Sequence, residues 1–190
     1  MYKVVSYYHE DQVAITSFQK KSNYLFSEYN FYIRNMMLSI LNSTTDLTPI
    51  IERLDDNQTA IADLLLPYYP TQKVNSLADI LKIHVSLIEQ YIKVSVAKQD
   101  LTAIQAQWVA NTDEIATLLN SLDSSRWVKS ATVTFLTQNA NYLHRQIVAR
   151  MASDWVADIA AADLAYNNII DFAEFFGNGI VVSNLEKFSK

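Results

Sequence analysis

Three polar side chains at equal spacing are the residues best placed for chemistry. Tyr29, His84 and Asn139 lie 55 residues apart, each in the middle of an otherwise apolar helical stripe. A polar group on a buried stripe costs about 1–3 kcal/mol unless it finds a partner. One interpretation is a polar centre that binds a small ligand or a metal, with His84 as ligand or acid–base group. The other is a hydrogen-bonded core cluster, or three separate polar residues each satisfied locally, which is the usual role of a lone histidine on an apolar face.

A second set of residues repeats at the same spacing. Arg34, Glu89 and His144 follow the polar triplet by five residues. If their helices are neighbours, Arg34 and Glu89 form an ion pair. On a solvated face such a pair contributes only about 0–1 kcal/mol, and a solvated face is the simpler interpretation.

The other patterns of catalysis and metal binding are missing from the sequence. No histidine has a glutamate three residues before it, and there is no His-x-x-x-His pair, so we predict neither a metal nor a cofactor. Gly-x-Ser-x-Gly, a glycine-rich phosphate loop and cysteine are also missing. Asp113 and Glu114 are adjacent and point about 100° apart on a helix, so they do not form an acid–base pair. We therefore predict a non-enzymatic protein.

The elements that carry these residues form a repeat. The stretch 77–98 matches 25–41 and 132–151 when the sequence is shifted by 55 residues. The matching apolar columns are Phe26, Leu81 and Leu136; Ile33, Ile88 and Leu143; Met37, Ile92 and Ile147; Leu41, Val96 and Met151. In the helices that follow, Ile61, Ile115 and Ile170 align, as do Leu64, Leu118 and Ala173. The unit is a helical hairpin, which must stack on others to bury its apolar stripe.

The apolar periodicity and the breaking residues predict six helices. Their predicted ranges are 10–41, 48–66, 76–98, 101–122, 126–152 and 154–176. Residues 1–10 are predicted to be irregular, Gly177 and Gly179 to end the last helix, and 181–190 to be a strand-like or mobile tail. The predicted fold is all-α: one domain (1–190), a six-helix up-down bundle of three hairpins (11–70, 71–123, 124–180). A closed bundle and a short superhelix both fit the repeat.

Composition limits the partners. The net charge of −5 disfavours nucleic acid, no apolar window is long enough to span a membrane, and the lack of cysteine fits the cytoplasm. Five tyrosines lie in predicted non-helical segments: Tyr2, Tyr7, Tyr8, Tyr68 and Tyr69. Such clusters are enriched at protein–protein contacts, and they also serve as lids over the ends of a bundle.

Three stretches carry a family resemblance. They are 25–34 (LFSEYNFYIR), 108–116 (WVANTDEIA) and 179–181 (GIV). On these the chain resembles a family of small, poorly characterised bacterial proteins built from the same hairpins, over about residues 25–182. The resemblance implies the hairpin fold and a Glu-His pair in each first helix, of which only Glu28 and His84 are kept here. Some relatives carry an acetylglutamate kinase label, which we set aside because this chain has no glycine-rich phosphate loop.

These observations predict a helical module that interacts with a protein partner or with itself, or that has a structural role. The alternative is a bundle that binds a small ligand or a metal through Tyr29, His84 and Asn139. A second alternative is a structural or DNA-associated protein of a virus or phage.

Overall fold

The chain folds into helices throughout. The computed structural model describes residues 2–189, with side chains from Asp11 onward. Every regular element in this part is a helix, which confirms the all-α prediction. The helices are α1 (Tyr2–Asn42), α2 (Leu47–Asp63), α3 (Thr71–Val96), α4 (Thr102–Leu122), α5 (Lys129–Met151), α6 (Trp155–Ser183) and α7 (Leu185–Phe188).

Several helix ends lie where turn and capping residues predict them. Pro49 occupies the first turn of α2, where its missing N–H has no helical partner to lose. Asp154 caps α6, because its carboxylate accepts a hydrogen bond from the Ala157 N–H at 3.0 Å. The predicted bounds of α4 agree with the structure within one residue.

The ends of α1, α3 and α5 share one geometry. Ser43, Lys98 and Ser153 follow these helices with left-handed φ angles of 53°, 54° and 58°, although none of them is glycine. In each turn the next N–H reaches back to a carbonyl five residues earlier: Thr44 to Ser39, Gln99 to Val94 and Asp154 to Ala149. This is the Schellman closure of a helix. All of these positions repeat at 55 residues.

Three predicted boundaries are wrong by five residues or more. Helix α1 begins at Tyr2 instead of following an irregular lead-in, since residues 2–10 contain no glycine or proline that would stop a helix. Helix α3 begins at Thr71, directly after Pro70, rather than near residue 76. Helix α6 continues through both glycines to Ser183, and the predicted tail contains α7.

The two glycines of α6 are sites of close packing rather than helix ends. A Cβ atom at Gly177 would lie 3.2 Å from the Ser22 Oγ of α1. A Cβ atom at Gly179 would lie 2.3 Å from the indole ring of Trp127, which is fully buried in the α4–α5 connection. Glycine is therefore required at 179 because a neighbouring ring occupies the space of a side chain.

The long helices pack mainly against their neighbours in the chain. Each of α1 to α5 packs against the next helix in the chain, and α6 packs against α1. Further contacts join α1 to α3 and α3 to α5. A continuous apolar core lies between them, with Met36, Met37, Leu65, Ile88 and Ile147 fully buried.

The tyrosines of the α2–α3 connection cover one end of the molecule. The Tyr68 ring stacks on Phe188 of α7 at 5.1 Å, and Phe18 packs edge-on against both rings. Tyr69 packs against Trp127, and its hydroxyl accepts a hydrogen bond from Asn184. The sequence left two roles open for these tyrosines, a protein–protein contact or a lid, and Tyr68 and Tyr69 are arranged as a lid. The side chains of Tyr2, Tyr7 and Tyr8 lie outside the described part of the chain.

Candidate functional site

The helix pairs α1–α2, α3–α4 and α5–α6 each contain one equivalent asparagine contact. The side-chain amide of the second helix donates to a backbone carbonyl of the first: Asn57 to Leu25 at 2.9 Å, Asn111 to Ile80 at 3.1 Å and Asn168 to Phe135 at 3.0 Å. The three accepting residues lie 55 positions apart. With Asn168 in this register, Phe172 takes the place of Ile61 and Ile115. The expected alignment of Ile170 is therefore two residues off, and Ile170 is only partly buried.

His84 belongs to a hydrogen-bond chain inside the α3–α4 pair. The Trp108 indole N–H points to His84 Nε2 at 3.4 Å, so Nε2 is the acceptor. The proton then lies on Nδ1, which donates to the Asn111 side-chain oxygen at 2.6 Å. The Asn111 side-chain amide in turn donates to the Ile80 carbonyl. These bonds explain the Trp-x-x-Asn spacing of 108–111, because both residues hold one histidine.

The chain keeps His84 neutral. Burial lowers the pKa of this imidazole from 6.5 to about 4, although the bond to Asn111 acts in the opposite direction. Both ring nitrogens are engaged, which leaves no free lone pair for a metal. Among the described residues, no group of three or more histidine, aspartate or glutamate side chains is arranged to hold a metal ion.

The other two members of the triplet have different surroundings. Tyr29 is buried, and desolvation raises the pKa of its hydroxyl. Asn139 is half-buried and lines a small gap of about 10 Å³ with Arg34 and Gln146. No hydrogen bond joins any two of the three in the part of the chain with described side chains. The shared ligand site predicted for them stays a prediction.

The predicted pair between Arg34 and Glu89 is not formed. Arg34 instead forms a bidentate ion pair with Asp158, at 3.0 and 2.7 Å, and donates to Gln146. Glu89 pairs with Lys93 one turn away on the same helix. The reason is the packing order: α6 returns against α1 and brings Asp158 to Arg34, a neighbour that the repeat alone does not reveal.

A second guanidinium approaches the same carboxylate. Arg150 Nε lies 2.6 Å from Asp158 Oδ2, close enough for an ion pair, but its N–H is not aimed well enough for a hydrogen bond. Asp158 is fully buried, and the two arginine side chains are about a quarter exposed. The three charges hold α1, α5 and α6 together. Burying a carboxylate is tolerated only with such partners.

A concave site that the sequence did not reveal lies between α3, α4 and α5. This aromatic cavity measures about 300 Å³ and is lined by Tyr91, Gln105, Trp108, Val109, Thr112, Thr137, Ala140, Asn141 and His144. The Tyr91 hydroxyl and His144 Nδ1 are 2.7 Å apart and join α3 to α5. Tyr91 packs edge-on against Trp108, with ring centroids 5.0 Å apart. The sequence offered one signal, Trp108 three residues before Asn111, but it did not show that the edge of the indole borders a cavity.

Exposed apolar side chains concentrate on the α5–α6 pair. Of the sixteen large apolar residues that are exposed in the part with described side chains, seven fall within 148–166. We call this set of residues the α5–α6 apolar surface: Val148, Met151, Trp155, Val156, Ile159, Leu164 and Tyr166. Val156 is 80% exposed, the highest value among them. Clustered exposed apolar residues mark interaction sites more often than scattered ones do.

Among the described residues, no helix is both long enough and apolar enough to cross a membrane.

In comparisons by sequence and by structure, no protein-family model, no curated protein and no solved structure matches this chain.

Proposed function

We propose that this protein is a non-enzymatic interaction module, made of three helical hairpins closed into a six-helix up-down bundle, which associates with a second copy through its α5–α6 apolar surface. The hairpins are the pairs α1–α2, α3–α4 and α5–α6. The observation that carries the function is the concentration of exposed apolar side chains on the third pair.

Three repeated geometries support the architecture. The left-handed turn residues, the Schellman carbonyls and the carbonyls bound by asparagine all recur at 55 residues. The return of α6 against α1 favours a closed bundle over an open superhelix, because an open superhelix leaves the first and last units apart.

The chemistry of the surface favours a second copy as its partner. The charged residues of 145–166 are nearly balanced, with two arginines (Arg145 and Arg150) and three aspartates (Asp154, Asp158 and Asp163), of which Asp158 is buried. In a two-fold dimer the same surface lies on both sides, so apolar residues meet apolar residues and neither copy presents an excess of like charge. The Trp155 ring, with the Arg150 guanidinium 5.2 Å from its centroid, is the type of residue that anchors such interfaces.

Sedimentation velocity over a concentration series tests the proposal. We expect the wild-type protein to shift from monomer to dimer, and the double variant V156E/I159E to remain monomeric with an unchanged helical circular dichroism spectrum. The matched control is I83E, at an exposed isoleucine of α3, which should dimerise as the wild type does. A wild-type protein that stays monomeric up to millimolar concentration, or a double variant that dimerises equally well, would overturn the proposal.

A further inference from the structure

The aromatic cavity has walls that are fixed before any ligand arrives. The Trp108 indole is held by its bond to His84, and the Tyr91 ring by its bond to His144. Tyr91 and Trp108 are almost fully buried, and each packs against the other. Ordering the side chains of a site is one of the entropic costs of binding, and rings that are already fixed avoid most of this cost.

The polar side chains around the cavity are hydrogen-bonding groups. Gln105, Asn141 and Thr137 are exposed at its edge, and His144 keeps Nε2 free because Nδ1 faces Tyr91. The nine residues that line the cavity include no aspartate, glutamate, lysine or arginine. The Trp108 N–H already donates to His84, so the indole offers the cavity no hydrogen bond and only the small exposed part of its ring. Such a lining matches an uncharged ligand that is apolar in its body and polar at one edge.

The corresponding junction one repeat later has no cavity of this size. At the junction of α5, α6 and α1, Gln146 and Arg34 occupy the repeat positions of Tyr91 and His144, and Ala165 takes the place of Trp108. That gap measures about 10 Å³, because Arg34 reaches across it to Gln146 and Asp158. The junction of α3, α4 and α5 therefore stays open where its counterpart is filled.

We propose that the aromatic cavity binds a neutral, planar heteroaromatic molecule of one ring system, which contacts Val109 and the exposed edges of the Trp108 and Tyr91 rings and turns its polar edge toward His144, Gln105 and Asn141. A volume of about 300 Å³ is at the lower limit of ligand pockets and accommodates such a ring without a further substituent of similar size. Because Tyr91 is 3% and Trp108 6% exposed, each ring offers the ligand only a small edge, and an edge-on aromatic pair contributes about 0.5–1.5 kcal/mol. Val109, which is 70% exposed, supplies further apolar contact. This site is separate from the α5–α6 apolar surface and does not depend on dimerisation.

Benzimidazole is a suitable probe, since it is planar, mostly uncharged at pH 7.5 and carries one donor and one acceptor. Titration followed by ¹H–¹⁵N NMR reports on the three indole N–H signals, which W155F helps to assign. We expect the Trp108 signal to move and the Trp155 signal to stay, with a Kd of about 1 mM or tighter. Benzoate, planar but charged, and cyclohexanol, uncharged but not planar, should bind at least tenfold more weakly.

Two variants and a control separate the cavity from non-specific binding. A140F fills the cavity from its half-buried wall and should weaken benzimidazole binding at least tenfold, whereas A110F, at an exposed alanine of α4 outside the cavity, should leave it unchanged. If A140F does not fold, Q105A tests the exposed edge and should weaken binding about threefold. An unmoved Trp108 signal at millimolar benzimidazole, or equal binding by the wild type and the cavity variants, would overturn the proposal.

Discussion

Tyr91 and His144 form the same contact between neighbouring helix pairs that Gln146 and Arg34 form one repeat later. The first pair is joined at 2.7 Å between α3 and α5, and the second by a bond from Arg34 to Gln146 between α1 and α5. Each residue of the second pair lies at the repeat position of its counterpart. Arg34, Glu89 and His144 thus share a register, but Arg34 and His144 each contact a neighbouring helix pair, whereas Glu89 pairs with Lys93 on its own helix. This equivalence supports the proposed closed arrangement, because the second contact forms only if α1 packs next to the α5–α6 pair.

The three asparagines should contribute similar stability. Replacing Asn57, Asn111 or Asn168 with alanine removes the hydrogen bond between two helices and leaves the accepting carbonyl only its own helical N–H. N111A also removes the acceptor of the His84 Nδ1–H, so its loss should lie at the upper end of the range. We expect each variant to lose about 1–3 kcal/mol in urea unfolding. N42A is the control, since Asn42 makes the same type of bond to the Leu38 carbonyl in an exposed position, and it should lose under about 0.5 kcal/mol. Unequal losses, with one asparagine no more costly than N42A, would argue against equivalent roles.

The two glycines of α6 should respond differently to alanine. In G179A the new methyl group overlaps the buried Trp127 ring, so we expect a loss of at least about 2 kcal/mol despite the gain in helix propensity. In G177A the nearest atom is Ser22 Oγ at 3.2 Å, and the gain in propensity of about 1 kcal/mol offsets most of the strain. Thermal and urea unfolding of both variants measures the difference. Equal stabilities would contradict the close approach at Trp127.

His84 should make the fold sensitive to mild acid. The pKa of its ring is about 4 when folded and 6.5 in the unfolded chain, so the unfolded chain binds more protons between these values. The free energy of unfolding therefore falls as the pH decreases from 6.5 toward 4. Between pH 7.5 and 5.5 the wild type should lose about 1 kcal/mol more than H84Q, measured by urea unfolding at both pH values. The same pH dependence in both proteins would show that His84 is not a buried neutral group.

The ion pairs of Asp158 should contribute far more to the free energy of unfolding than an exposed pair does. D158N removes the carboxylate and leaves two partly buried arginines without their counterion. Removing one partner of a buried pair costs about 3–5 kcal/mol, and we expect about 2–3 here because both arginines are a quarter exposed. D113N, which breaks the exposed pair with Lys129, should cost under about 1 kcal/mol. A D158N variant as stable as D113N would mean that the arginines are solvated well enough without Asp158.

Most helix positions and most packing residues were predictable because they depend on local patterns. The column Leu41, Val96 and Met151 is an exception, since the first two are only partly buried and Met151 is exposed. Proline and polar breaks mark the starts of α2 and α4, and the 55-residue register anticipates the shared turn geometry after α1, α3 and α5. The glycines were misinterpreted for a physical reason. Glycine favours both helix ends and close helix packing, and only the position of Trp127 in space decides between them at Gly179.

The site was less predictable because it depends on contacts between repeats. The register showed that Tyr29, His84 and Asn139 are equivalent, but each meets a different neighbour, and only His84 lies in a bonded chain with Trp108 and Asn111. The partner of Arg34 is Asp158, 124 residues away, and no spacing rule connects them. Likewise, the aromatic cavity exists because His144 is shorter than the arginine that fills the equivalent gap.

Closure of the ring by α6 and α1 is the central claim, and a cysteine pair tests it most directly. The chain has no cysteine, and a Cβ at position 177 would lie 3.4 Å from the Ser22 Cβ, near the separation of about 3.5–4.5 Å found in disulfides. After mild oxidation of S22C/G177C, we expect an intramolecular disulfide in the monomer fraction, seen by mass spectrometry and a non-reducing gel. S22C/A106C, which places the second thiol on α4, should remain reduced. A folded S22C/G177C protein that keeps both thiols free would contradict the closed bundle.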